Sequence, residues 1–316
     1  MSRLYSVLVC ISLLSPLAHP AQGAIGWSRD AQVLGRTNLI FVNLENGVRL
    51  SCIQETNAGD FAADALYWFW DSQGADVDTA IVTGGSIQGG PFTGELTRLD
   101  CQLIQPLGSS ACLQTVTGRQ LLDALAWGAR FADRNGWGGF LQVSGITYEI
   151  DTTQPDPTVH SVHLYQKQTA TRNPLEPERQ YHLALYSDIL DSGYGFSMLQ
   201  NADWKHTGYV TAPEVLAKYI LGFPDGVIAS TNAPLSEKYP GLLLDYTSSG
   251  GSGRIGYGAA PQQATQESVA PSEAHTEPPT HTAPASDADH GSSAPALICG
   301  FLLVAAAVIW MLTRKR

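Results

Sequence analysis

The 316 residues carry 18 basic and 29 acidic side chains, a net charge of −11, with 44% apolar residues. Four of the basic residues, Arg3, Arg314, Lys315 and Arg316, sit at the two ends, so residues 25–293 hold 14 basic residues against 29 acidic ones. A surface that acidic excludes nucleic acid as a partner, and a stretch of that length is large enough for a real core.

Residues 1–24 read as a secretory signal, with Arg3 near the start, an apolar run over 7–14 and small residues at Ala21, Gly23 and Ala24. Residues 25–258 then form one domain. A short strand is expected at 39–42. A helix follows over 60–70, capped by Asn57, with Asp60 in its first turn and Phe61, Ala65, Leu66 and Phe69 on one face. A strand at 79–82 leads into a glycine-rich turn over 84–90. Strands are expected at 103–104 and 113–116, and a second helix over 118–134 places Leu121, Leu122, Leu125 and Ala129 at helical spacing. Residues 140–143 and 146–150 alternate like strands around Ser144-Gly145. In the strand 159–165, alternation predicts that His160 and His163 point to opposite faces, a poor arrangement for chelation. A strand at 181–185 runs to a Gly-punctuated turn over 191–196. A third helix, 213–221, has Pro in its first turn. Strands and helices interleave throughout, which predicts a mixed α and β domain.

Residues 259–293 are rich in Pro, Ala, Ser and Thr and nearly devoid of large apolar residues, which predicts a disordered, O-glycosylated stalk. Residues 294–313 are apolar enough to predict a transmembrane helix, and the basic residues 314–316 place that end in the cytoplasm. The chain is thus expected to be a type I single-pass protein of the plasma membrane with its domain outside. A lipid anchor, or a place in an endomembrane lumen, is the alternative.

Cys10 and Cys299 fall in the two apolar ends, leaving Cys52, Cys101 and Cys112 for the domain. Cys101 and Cys112, close in sequence, are expected to pair as a disulfide. There is no CxxC spacing, no nucleophile elbow and no phosphate-binding loop, since Gly84-Gly85 and Gly89-Gly90 lack the following Lys-Ser/Thr. No catalytic residue, metal ligand or cofactor is expected.

Five stretches carry a resemblance. They are Gln54-Glu55-Thr56-Asn57-Ala58-Gly59-Asp60 with Asp64-Ala65-Leu66, Thr83-Gly84-Gly85-Ser86-Ile87-Gln88, and Thr117-Gly118-Arg119-Gln120-Leu121-Leu122-Asp123-Ala124-Leu125. The others are Phe140-Leu141-Gln142-Val143-Ser144-Gly145-Ile146 with Tyr148 and Asp151, and Asp191-Ser192-Gly193-Tyr194-Gly195-Phe196. In this order they resemble the C-terminal domain of the 5'-nucleotidase family over residues 36–200, and Gly253-Arg254-Ile255 resembles its closing strand. The resemblance implies an α+β fold, a mixed sheet with flanking helices, to which the sequence adds the C-terminal transmembrane helix. In complete members a metallophosphatase domain comes first and holds the metals and the catalytic His-Asp pair. Its Gly-Asn-His-Glu and Gly-His-X-His signatures do not occur in this sequence.

The resemblance also places a nucleoside pocket, and its positions have changed. The base-reading Asn falls at Thr83 and the Arg beside the phosphate at Gln88. A further Arg falls near Cys52 or Ile53. The two stacking Phe fall at Leu107 and near Asp188, and the ribose-binding Asp at Tyr194. A site without its Arg charges and aromatic platforms loses its handles on a nucleotide. Thr83, Gln88, Leu107, Asp188 and Tyr194 are expected to remain around one cleft that binds nucleotides weakly or not at all. The expected function is a catalytically inactive surface module for binding or dimerisation, with a homodimer or another protein as partner. The alternative is one component of a nucleotide hydrolase that acts with a separate metallophosphatase chain.

Overall fold

A computed structural model describes residues 31–132, 138–190, 194–200, 203–229 and 231–261. The expected signal (1–24), the stalk beyond residue 261, the membrane helix (294–313) and the tail (314–316) lie outside these residues. The strands are β1 (Val33–Phe41), β2 (Leu44–Glu45), β3 (Val48–Arg49), β4 (Thr79–Thr83), β5 (Phe92–Thr97), β6 (Ser110–Thr117), β7 (Leu141–Ser144), β8 (Ile146–Asp151), β9 (Thr158–Gln166), β10 (Thr171–Pro174), β11 (Gln180–Tyr186), β12 (Asp203–Thr211), β13 (Val227–Ile228) and β14 (Ile255–Tyr257). The helices are α1 (Asn57–Ser72), α2 (Arg98–Ile104), α3 (Gly118–Ala129), α4 (Ser187–Leu190) and α5 (Ala212–Leu221).

A five-stranded mixed sheet, ordered β12-β6-β11-β4-β7, divides the apolar residues into two cores. Strand alternation does the dividing. Ala80, Val82, Ala184 and Tyr186 enter one core with α1 and α5. Ile81, Leu183 and Leu185 enter the other with Leu121, Ala124 and Leu125 of α3. A second sheet, β10-β9-β8-β14, contributes Ile146, Tyr148, Ile150 and Leu164 to that second core. The helix α1 forms as its spacing predicts, but its cap is Thr56, whose Oγ1 accepts from Gly59 N at 3.0 Å. Asn57 instead ties α1 to the rest of the fold. It accepts from Val42 N at 2.8 Å and donates to the carbonyls of Ile40 and Tyr246.

Several expectations need correction. The fold is α+β with mixed sheets and flanking helices, but the fold class that included a transmembrane helix does not hold: among the described residues no helix is long and apolar enough to cross a membrane. The physical reason is visible in α1, which has 16 residues and carries Asp60, Asp64 and Asp71, where a span needs about 20 apolar ones. The 103–104 strand is instead the end of α2. A capping box starts that helix: Asp100 N bonds Thr97 Oγ1, and the Asp100 carboxylate accepts from Thr97 N at 2.7 Å.

Cys101 and Cys112 do not pair. Cys101 is a free thiol on the α1 side of the sheet, and burial pushes it up to about 12. Cys112 lies between Ala111 and Leu113 on β6, so alternation turns it into the opposite core. His160 and His163 do share a face. Thr147 pairs with His163 and Glu149 with His160, a bulge whose extra residue includes Ser161 at φ 50°. Both rings are occupied, with His160 Nε2 3.0 Å from Gly258 O and His163 Nδ1 2.7 Å from Ser161 O.

The end of the domain is held by carboxylates. Asp151 accepts from Ala260 N at 2.8 Å, Thr153 N at 2.8 Å and Thr153 Oγ1 at 2.6 Å. These bonds, the one from Ala260 first, hold its carboxyl down at about 2, against about 3.9 in an unfolded chain. The stabilisation is present above the unfolded value and disappears as pH falls through about 2. Asp151→Asn is expected to flatten the loss of stability between pH of about 4 and 2. Denaturant titrations at several pH values check this. Parallel losses in wild type and variant would show that these bonds add nothing.

Candidate functional site

The parallel neighbours β4 and β11, in register at Thr79–Leu183 and Ala80–Ala184, end side by side. Ligands of open mixed sheets sit outside such carboxyl ends. Past Thr83 the chain enters a 3-10 turn over Gly84–Ser86, and past Tyr186 it enters α4. The two ends therefore bring together residues 105 positions apart: Thr83 Oγ1 donates to Asp188 Oδ2 at 3.0 Å.

Tyr194 completes this group. Its carbonyl accepts from Trp127 Nε1 at 2.8 Å, which fixes the backbone. Its hydroxyl lies over Gly85, where a Cβ would come within 2.5 Å of it. Burial and the Asp188 carboxylate push the phenol above its ordinary range, with the Thr83 hydroxyl pulling the other way. A neutral phenol, a hydroxyl and a carboxylate thus occupy one place.

Arg49 approaches the same place and was missed in the sequence. Its Nη1 donates to Gly85 O at 3.3 Å. The signal for it was Asn46-Gly47. These residues adopt φ of 50° and 80° and turn β2 back on β3, as such dipeptides do in tight hairpins. The hairpin carries Arg49 to the loop, whereas the positions expected to replace the family's Arg, Cys52 and Ile53, lie in the following turn. Cys52 is buried, and burial raises its thiol pKa against the pull of Arg49. Trp127, Phe131 and Arg130 are also unforeseen. Arg130 lies 5.1 Å over the Trp127 ring, and Phe131 meets that ring edge-on.

Gln88 and Leu107 do not join the group. Gln88 is half-buried and its backbone N–H bonds Ile104 O at 2.7 Å. Asn43 Nδ2 bonds the carbonyls on either side, Ile87 O and Gly89 O, which fixes that stretch. Leu107 is half-buried in the loop after α2. Among the described residues no hydrogen bond, ion pair or ring contact links either side chain to Thr83, Asp188 or Tyr194. Residues 191–193 of the expected turn lie outside the described residues. Among those described, no three His, Cys, Asp or Glu side chains are grouped to hold a metal ion.

Comparison with known proteins follows the same outline. The chain is 27% identical over 156 residues to the cell wall protein Lmo0130 of Listeria monocytogenes, covering 48% of this chain and 19% of that one. It is 27% identical over 205 residues to the snake venom 5'-nucleotidase of Crotalus adamanteus, covering 60% of this chain and 34% of the enzyme. It therefore spans about a third or less of the length of these relatives. A crystal structure of a 5'-nucleotidase precursor from Thermus thermophilus shares the fold, with a TM-score of 0.60 and 22% identity over 76% of this chain and 42% of that one. The family model for the 5'-nucleotidase C-terminal domain matches residues 33–201, more than half of the sequence, and the chain belongs to that family.

Proposed function

We propose that this domain is a binding module displayed outside the cytoplasm that does not hydrolyse nucleotides by itself. One observation carries the reading: the chain's own side chains, Asp188 and Tyr194, stand against Thr83 and Gly85 in the candidate cleft. Asp188 holds Thr83, and Tyr194 covers Gly85. A carboxylate at that point repels a phosphate-bearing ligand. The likeness to a cell wall protein supports display outside the cell.

The losses are large enough to matter. A stacked aromatic is worth about 1–3 kcal/mol, and each charge-assisted bond to phosphate about 1.5–3 kcal/mol. Together they turn micromolar affinity into millimolar or worse. The purified chain is expected to release no phosphate from AMP or UDP-sugars with divalent metals added, and to show no micromolar heat of binding with AMP or adenosine. Metal-dependent phosphate release above a mock preparation would overturn the reading. So would micromolar AMP binding that Tyr194→Ala abolishes.

A second reading rests on the kinship to nucleotidases: the domain serves a separate metallophosphatase chain. Activity that arises only on mixing the two chains, and that Asp188→Ala or Tyr194→Ala changes, would favour it.

A further inference from the structure

A cleft of about 480 Å³ lies on the outer face of the sheet β10-β9-β8-β14, within the roughly 300–1,000 Å³ usual for small-molecule sites. Strand alternation builds its floor. Ile146, Tyr148 and Ile150 enter the second core, so Thr147 and Glu149 face outward, with His163 paired to Thr147. Leu243 is the one aliphatic side chain lining the cleft, and the Tyr148 ring is buried. A base finds nothing here to stack on, and a partner protein finds no apolar anchor pocket.

Arg172 stands at one end. Its Nη2 donates to Gly241 O at 2.6 Å, and among the described residues it makes no ion pair. Burial and the nearby Arg254 guanidinium both work against its charge. Arg254 lines the cleft as well, but Asp60 and Asp64 supply its counter-charge. Glu149 stands at the other end. Arg172 pairs with Tyr165, whose N–H bonds Gly145 O, so Arg172 is level with Gly145. Glu149 comes four residues after Gly145, about 13 Å further along the strand. The two charges are therefore separate points of recognition rather than a pair. Thr147 and His163 lie between them. The Ser161 carbonyl only accepts, so His163 Nδ1, 2.7 Å away, carries the proton and Nε2 is an acceptor in the neutral ring.

We propose that this cleft binds a small anionic sugar, bearing a phosphate or a carboxylate. Its anionic group would meet Arg172, and its hydroxyls Thr147, His163 and Glu149. An anion without hydroxyls would leave the acceptors unused, a neutral sugar would leave Arg172 without a counter-charge, and a cation would meet Glu149 but be repelled at Arg172.

The test is isothermal titration calorimetry on the full chain with glucose 6-phosphate, glucuronate, glucose and inorganic phosphate. One or both of the anionic sugars should bind at least about tenfold more tightly than glucose and than inorganic phosphate, and the tighter of the two identifies the anionic group. Arg172→Gln should remove that advantage. Glu149→Gln should weaken the anionic sugars about threefold or more, because a carboxylate accepts from hydroxyls more strongly than an amide does. Melting curves without ligand establish that both variants fold. Binding of neither anionic sugar above glucose, binding no tighter than that of inorganic phosphate, or binding that ignores Arg172→Gln would overturn the proposal. So would tighter binding by Glu149→Gln, since Glu149 would then only repel the anion.

Discussion

Arg254→Met is expected to lower folding stability by about 3–5 kcal/mol, a large share of the roughly 5–15 kcal/mol typical of a domain. The guanidinium is buried and bidentate to Asp64, with Nη1–Oδ1 at 2.9 Å and Nη2–Oδ2 at 2.7 Å. It also donates to the carbonyls of Val143 and Leu243, and its Nε to Ser252 Oγ. Burial works against its charge, but the carboxylates of Asp60 and Asp64 more than offset that and hold it protonated. Two carboxyl groups, Asp60 and Asp64, share this one cation, and a third, Glu55, lies beside them. Asp64 takes the fork and also accepts from Tyr246 at 2.7 Å. Glu55 accepts from the backbone of Arg254 and Ile255. Burial raises the Asp60 carboxyl against the pull of Arg254, with Glu55 and Asp64 adding to the rise. Removing the cation would leave buried carboxyl groups with no counter-charge and free β14 from α1. Urea unfolding followed by tryptophan fluorescence measures the loss. Arg254→Met with Asp64→Leu should be more stable than Arg254→Met alone, because an apolar pair replaces an orphaned charge. If the single variant loses under about 1 kcal/mol, the cluster has the weight of an exposed ion pair.

The sequence read well where periodicity alone decides. Phe61, Ala65, Leu66 and Phe69 mark one face of α1, and all four enter one core. It misread α2 because Leu103-Ile104 is a short apolar run that fits either element, and the capping pair Thr97 and Asp100 was overlooked. It passed over β12, an edge strand that pairs with β6 across register shifts. At the candidate site, local pattern puts Thr83 just past one strand and Asp188 between another strand and a turn. That β4 and β11 lie side by side is a matter of topology, which spacing along the chain does not encode. The resemblance supplied only the expectation that Thr83 and Asp188 lie around one cleft. It placed the family's missing Arg near Cys52 or Ile53 and so overlooked Arg49, whose reach depends on a hairpin rather than on alignment.

Two adjacent glycines separate scaffold from site. A Cβ on Gly84 would lie 1.8 Å from the Ser51 carbonyl oxygen and 2.8 Å from Cys52 N. Both are backbone atoms, held there by Gly84 N bonding Phe140 O at 2.7 Å and Ser51 Oγ bonding Gly84 O at 3.0 Å. No rotamer relieves that overlap, so the loop must part from the turn that carries Cys52. A Cβ on Gly85 meets chiefly the Tyr194 hydroxyl, the far end of a side chain, with Gly138 Cα at 3.0 Å. Gly84→Ala is therefore expected to cost about 3 kcal/mol, the upper end of overpacking, and Gly85→Ala about 1 kcal/mol. The second variant should instead swing Tyr194 away from Thr83 and Asp188. The phenol, no longer held beside the half-buried carboxylate of Asp188, should then titrate nearer its ordinary range. Thermal melts give the first comparison, and ultraviolet titration of the phenols, with Tyr194→Phe as the blank, gives the second. Equal destabilisation by the two alanines, with no change in the phenol, would mean that Tyr194 is scaffold as much as Gly84 is, and the cleft would lose its one movable wall.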